Sequence, residues 1–183
     1  MNLTVTPADL KGLYLINLVV HEDSRGSFRE AFHAQNLEAL GLPRLNPVQW
    51  NISENLRRGI VRGIHAEPWD KYAHVITGEV FAVIVDLRPD SITFKQVRTF
   101  TLDETKALFI SRGLGNAYQV LSNGAVYGYL VNAHWQPGIS YPSIAYNDPT
   151  LAINWPLPVG PDDVSEKDKQ NPRLSEIFSL QKM

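Results

Sequence analysis

The segment Ala73-His74-Val75-Ile76-Thr77-Gly78-Glu79-Val80-Phe81-Ala82-Val83-Ile84-Val85-Asp86-Leu87 decides the fold class. Two β-branched, apolar runs flank a Thr-Gly-Glu turn signal, and neither run carries the 3.6-residue period of a helix, so the segment reads as strand, turn, strand. The same pattern extends outward in both directions. Strands are predicted over Leu13 to Val20, Ser27 to Phe32, Pro47 to Ile52, Ile60 to His65, Ala73 to Thr77, Val80 to Leu87, Thr93 to Thr101, Ala107 to Ser111, Ala117 to Leu121 and Val126 to Val131. Turn signals such as Arg88-Pro89-Asp90-Ser91 and Ser122-Asn123-Gly124 punctuate them. Many short strands at this spacing predict an all-β sandwich or barrel.

Ala34 to Gly41 breaks the pattern: it is helix-forming, ends in Gly and is followed by Pro43, as a short surface helix with a C-terminal stop should be. From about Asp148 the composition turns to proline and charge, which predicts a tail wrapped on the barrel with a short helix from Arg173 to Phe178. No internal repeat or compositional break separates two cores, so residues 1–183 are expected to form one domain.

Composition narrows the function. With 44% hydrophobic and 20% charged residues the chain is an ordinary globular one. Its 17 Lys and Arg against 19 Asp and Glu offer no basic field for a nucleic-acid backbone or an anionic membrane, so neither partner is expected. The absence of cysteine removes disulfides, thiolate metal sites and a cysteine nucleophile together. The N-terminus lacks a basic segment followed by an apolar one, and no run approaches the roughly 20 apolar residues of a membrane helix, so a cytoplasmic location is expected.

Of five histidines, His65 has the most suggestive neighbours: Arg62-Gly63-Ile64-His65-Ala66-Glu67-Pro68-Trp69-Asp70-Lys71 crowds a guanidinium, an imidazole, carboxylates and an ammonium at a strand end. In a regular strand Gly63 and His65 would share one face and Arg62 and Ile64 the other, which points His65 into the barrel and Arg62 away from it. A satisfied core histidine is the alternative. A metal-binding barrel would need His two residues beyond His65, where Glu67 stands, and a Pro-x-Gly-x-x-His turn, where Ser111-Arg112-Gly113-Leu114-Gly115-Asn116 stands. One histidine and one carboxylate make a poor first-row metal site, and no metal is expected.

The blocks Asp23 to Glu30, Gln49 to Ser53, Arg62 to His65, Gly78 to Phe81, Val85 to Arg88, Asn147 to Pro149, Ile153 to Pro156 and Ser165 to Asp168 resemble, in this order, the dTDP-4-dehydrorhamnose 3,5-epimerases of dTDP-rhamnose synthesis. The resemblance covers about Leu13 to Leu174. It implies a cupin-type jelly-roll barrel with short peripheral helices, no cofactor, a homodimer with an N-terminal strand pairing with a neighbour, and a dTDP-sugar substrate epimerised at C3 and C5 beside its 4-keto group. His65 matches the base, Asp168 its carboxylate partner, Tyr129 the acid across the sugar ring and Lys71 the cation beside the ketone oxygen. Arg25, Glu30, Gln49, Asn51 and Arg62 match positions that bind the nucleotide or sugar, Arg25 from a partner subunit, and His134 or Trp135 lies where an aromatic packs on the thymine.

The chemistry asks for such a set. Removing a proton next to a carbonyl needs a base near neutral pKa and a positive charge or donor at the enolate oxygen, and inversion needs an acid on the opposite face. Imidazole, lysine and phenol supply these. Two departures stand out: Asn116 replaces a histidine common in the family, and Tyr141 lies near a usual glutamate. An amide can hydrogen-bond the substrate but cannot act as a general acid. A mono-epimerase acting at C3 or C5 alone is therefore the alternative, with a non-catalytic sugar-nucleotide-binding jelly roll as a third reading.

Overall fold

The computed structural model describes residues 2–178, and all structural statements concern these; the expected tail beyond Phe178 lies outside them. Twelve strands run in chain order: β1 Thr4–Pro7, β2 Leu13–Asn17, β3 His21–Asp23, β4 Gly26–Phe28, β5 Gln49–Asn55, β6 Val61–His65, β7 Lys71–Thr77, β8 Val80–Asp86, β9 Val97–Leu102, β10 Lys106–Ile110, β11 Leu114–Val120 and β12 Ala125–Val131. Helices are short: α1 Ala34–Ala39, α2 Glu166–Lys169 and α3 Leu174–Phe178. A six-stranded sheet in the order β1-β2-β10-β7-β12-β5 packs on a four-stranded one in the order β6-β11-β8-β9, and β3-β4 forms a separate hairpin. Every pairing is antiparallel, and the arrangement is the expected cupin-type jelly roll.

Alternation along the strands sorts side chains into three apolar layers. Between the sheets, Leu13, Val75, Leu108 and Tyr127 meet Val80, Ile84, Leu114 and Val120. Val83, Val85 and Ala117 face out of the four-stranded sheet, where Ile144, Leu151 and Leu174 of the tail cover them. Ile16, Tyr72 and Phe109 face out of the other sheet under Leu18, Leu37, Leu42 and Leu45. Double coverage explains why β8 reads as a continuous apolar run rather than an alternating one. Helix α1 is capped by His33 Nδ1, which accepts from the Asn36 N–H at 3.3 Å, and is ended by Gly41 at φ +92°.

Several expectations shift. Strand pairing stops at Phe28 rather than Phe32, and Arg29 then donates to the Ile76 carbonyl at 2.6 Å. Residues 93–96 form a turn instead of extending β9, because Thr93 Oγ1 donates to Asp86 Oδ2 at 2.6 Å and Lys95 takes φ +71°. Strand β11 starts at Leu114, three residues before the predicted Ala117. Strand β1 pairs on one side with β2 of its own chain and forms the edge of the six-stranded sheet.

Candidate active site

The cavity between the sheets, about 400 Å³, draws its walls from both sheets and the tail. From β7 and β12 come Lys71 and Tyr129; from β6 and β11 come Arg62, His65 and Asn116; from α2 comes Asp168. All four residues matched to catalytic roles, with Arg62 and Asn116 matched to binding, thus line one cavity. Tyr129 and His65 rise from opposite sheets.

Arg62 departs from the strand expectation. His65 pairs with Asn116 and Arg62 with Tyr118, so three residues of β6 advance while two of β11 do. This β-bulge breaks the alternation, and Arg62 and His65 face the same cavity instead of opposite sides. Gly63 permits it. Its φ is +116°, and a Cβ there would lie 2.6 Å from the Asn116 carbonyl oxygen and 2.7 Å from Ala117 Cα, so no side chain fits.

The bulge also aims a backbone N–H. Gly63 N–H donates to Asp168 Oδ2 at 3.4 Å, while Asp168 Oδ1 lies 2.7 Å from His65 Nε2. Ser165 caps α2 by accepting from Asp168 N–H at 3.1 Å, which fixes the carboxylate under the imidazole. Burial pushes the Asp168 carboxyl up, but the hydrogen bond and charge of His65 and the Gly63 and Asn171 donors outweigh it and hold it below the usual carboxylate range. With Nε2–H donated to Asp168, Nδ1 is the nitrogen left to take a proton. Arg57 ties the tail down: its guanidinium pairs with Asp163 and donates to the Asp162 carbonyl at 2.6 Å.

On the opposite wall, Lys71 Nζ sits 4.7 Å from the Tyr129 ring centroid and 2.9 Å from Glu67 Oε2. Burial raises the Tyr129 pKa, with the Glu67 charge adding to the rise and Arg62 opposing it, so the phenol is protonated at neutral pH. Asn116 is buried, and its Oδ1 has no hydrogen-bond partner among the described residues. Tyr141 caps the imidazole edge-on, its ring 6.2 Å from that of His65.

The remaining binding candidates lie outside the cavity lining. Asn51 pairs with Tyr129 and Gln49 with Val131, so both occupy the inner face of the six-stranded sheet beside the cavity, joined by a 2.8 Å hydrogen bond. Gln49 Oε1 also accepts from Trp135 N–H at 2.9 Å; Trp135 and His134 are exposed. Glu30 and Arg25 are exposed too, and among the described residues Arg25 in the β3-β4 hairpin pairs with Asp23, at 2.6 Å. The sequence reading missed Glu67 as a member of the site, having weighed it only as a metal ligand; its four-residue spacing from Lys71 was the available signal. Among the described residues no group of three or more His, Asp or Glu is placed to hold a metal ion, and no helix is long and apolar enough to cross a membrane.

Comparison with known proteins places the chain by sequence and by fold. A relative named protein RmlC homolog, from Streptococcus pyogenes serotype M6, is 36% identical over 94% of this chain and 89% of its own length. A dTDP-4-dehydrorhamnose 3-epimerase from Streptomyces niveus is 33% identical over 93% of this chain and 83% of its own. The solved structure of RmlC from Streptococcus suis in complex with dTDP-D-xylose superposes with a TM-score of 0.89 at 35% identity, covering 97% of this chain and 94% of that one. The model of the dTDP-4-dehydrorhamnose 3,5-epimerase family matches residues 7–176, nearly the whole chain with both sheets and the tail that carries Asp168 to His65, and the protein belongs to that family.

Proposed function

We propose that this epimerase inverts C3 and C5 of dTDP-4-dehydro-6-deoxy-D-glucose, yielding dTDP-4-dehydro-L-rhamnose for dTDP-L-rhamnose biosynthesis, by successive proton removal and return beside the 4-keto group. The observation that carries it is the 2.7 Å His65–Asp168 pair standing across one cavity from Tyr129 and Lys71. His65 Nδ1 takes the proton from carbon, and the resulting imidazolium is stabilised by Asp168. The ammonium of Lys71 meets the enolate oxygen. Tyr129 OH returns a proton from the opposite sheet, which is what inversion requires; before the second centre reacts, the tyrosinate takes a proton from solvent and the His65 imidazolium gives its proton to solvent. Arg62 reaches the diphosphate, since a guanidinium suits paired phosphate oxygens. Gln49, Asn51, Glu30 and Trp135 or His134 hold the nucleoside and sugar, and Asn116 hydrogen-bonds the sugar.

The working unit is a cytoplasmic homodimer. The outer face of the six-stranded sheet leaves Trp50, Ile52 and nearby Phe28 57%, 54% and 67% exposed, an apolar patch suited to a second copy. The adjoining hairpin would then carry Arg25 toward the partner's cavity. Residues 1–183 act as one domain.

The test is incubation of the purified protein with dTDP-4-dehydro-6-deoxy-D-glucose and NMR assignment of the product's ring configuration. Inversion at both centres is the expected result. Inversion at one supports a mono-epimerase, the reading favoured by Asn116 standing at the place of a histidine and by the similarity to a 3-epimerase. Unchanged substrate refutes both.

A further inference from the structure

The wall opposite His65 holds a buried charge that the mechanism above does not use. Glu67 and Lys71 side chains are only 11% and 5% exposed, and their ion pair closes at 2.9 Å. A buried ammonium without a counter-ion is costly, and Glu67 supplies that counter-ion inside the cavity. Lys71 has three N–H donors; Glu67 takes one, and the others remain for an oxygen in the cavity. Its Nζ lies against the Tyr129 ring, 4.7 Å from the centroid. The segment bearing Glu67 is itself pinned: Ala66 N–H donates to the Pro142 carbonyl at 2.9 Å, Asp70 N–H to Asn132 Oδ1 at 2.9 Å, and Trp69 is buried.

We propose that Glu67 is a positioning residue of the epimerisation, seating the Lys71 ammonium against Tyr129 so that one cation faces both the enolate oxygen and the phenol that returns the proton. The inference rests on the role given to Lys71 above and extends it. Each partner bears on Tyr129: the carboxylate favours the protonated phenol, and the ammonium on its ring face is held in place by the carboxylate. Other charged or titratable groups facing this cluster are Arg62 and His65 from β6, Tyr118 from β11, Tyr127 beside Tyr129 on β12, Tyr141 from the loop after β12 and Asp168 from α2. Of these Arg62 opposes Glu67 in its effect on Tyr129.

Glu67→Gln keeps the size and removes the charge. It is expected to lower kcat on the order of tenfold to a hundredfold, less than loss of an oxyanion donor outright, and to move the alkaline limb of kcat/KM to lower pH, because Tyr129 loses the charge that adds to the upward push of burial. In combination with Lys71→Met it is expected to add nothing to the single Lys71→Met loss. A superimposable pH profile, or losses that multiply in the double variant, would overturn the proposal. Should Glu67→Gln not fold, Glu67→Asp decides, since its carboxylate is one methylene short: reduced kcat with the parental alkaline limb is expected, and the parental kcat overturns it. Full activity of Lys71→Met refutes the role of Lys71 itself, whereas a slow Lys71→Met beside an unaffected Glu67→Gln refutes this inference alone.

Discussion

Strand β11 pairs on one side with β8 and on the other with β6, and the two neighbours treat it differently. Along β8 the register is unbroken from Leu114–Asp86 to Val120–Val80, and both faces of β8 are buried in apolar layers. Along β6 the register slips between Asn116 and Tyr118, which turns Arg62 and His65 to the same cavity and frees Gly63 N–H for Asp168. Regular pairing makes a regular floor buried on both faces. The bulge spends that regularity on aim, and it is affordable because the floor next to it is intact.

The contrast can be broken first at its catalytic end. Asp168→Asn leaves His65 without the carboxylate that fixes its tautomer, and turnover should fall by about 10²- to 10⁴-fold with dTDP binding retained. Steady-state kinetics beside a dTDP titration checks this. Because Asp168 is held below the usual carboxylate range near 3.9, its carboxylate in the parent protein should stay ionised until the pH falls below that range.

Gly63→Ala attacks the bulge itself. A methyl group there meets the Asn116 carbonyl and Ala117, and φ +116° strains any side chain. Relaxation must shift His65 relative to Asp168, so activity should drop about 100-fold, the scale of a misplacement of about 1 Å, with a lowered Tm. The equivalent operation on β8 is Asp86→Asn, at the strand's end. Asp86 is buried and accepts from Arg88, Ser91 and Thr93; its pKa lies at about 2 because those donors outweigh the upward push of burial. A folded pKa below the unfolded one contributes stability that is fully present above the unfolded value near 3.9 and is lost as the pH falls toward 2. The shift corresponds to about 2 kcal/mol. The variant should therefore unfold more easily at pH 7, lose part of the parent's acid sensitivity between pH 4 and pH 2 (about the interval of that shift), and keep the parental pH–rate profile, as denaturant titrations and kinetics would show.

The smallest effect is expected at the clasp on the tail. Arg57 is half exposed, so Arg57→Ala should cost no more than about 1 kcal/mol in stability. Its effect on kcat should be a few-fold at most, since Ser165 and Gly63 still hold Asp168.

What the sequence made legible follows the same division. Strand β8 and its Thr-Gly-Glu turn were readable because two-sided burial leaves an apolar run that no exposed element would carry. The end of β9 was not, since the turn at 93–96 depends on Thr93 finding a carboxylate seven residues earlier. Alternation placed His65 inward correctly but sent Arg62 outward, because a bulge depends on the partner strand and leaves only a glycine as its local trace. Asp168 came to His65 through the family resemblance; 103 residues separate them, and no periodicity spans that distance. Glu67 was visible as a residue and invisible as a partner until Lys71 was seen to be buried.

The central claim is that His65 removes hydrogen from carbon beside the keto group. It is tested most directly by following solvent deuterium entering dTDP-4-dehydro-6-deoxy-D-glucose in D₂O by NMR, with the parent protein and His65→Ala side by side. Label at C3 and C5 with the parent and none above background with the variant is the predicted result. Equal wash-in by the two proteins would contradict it.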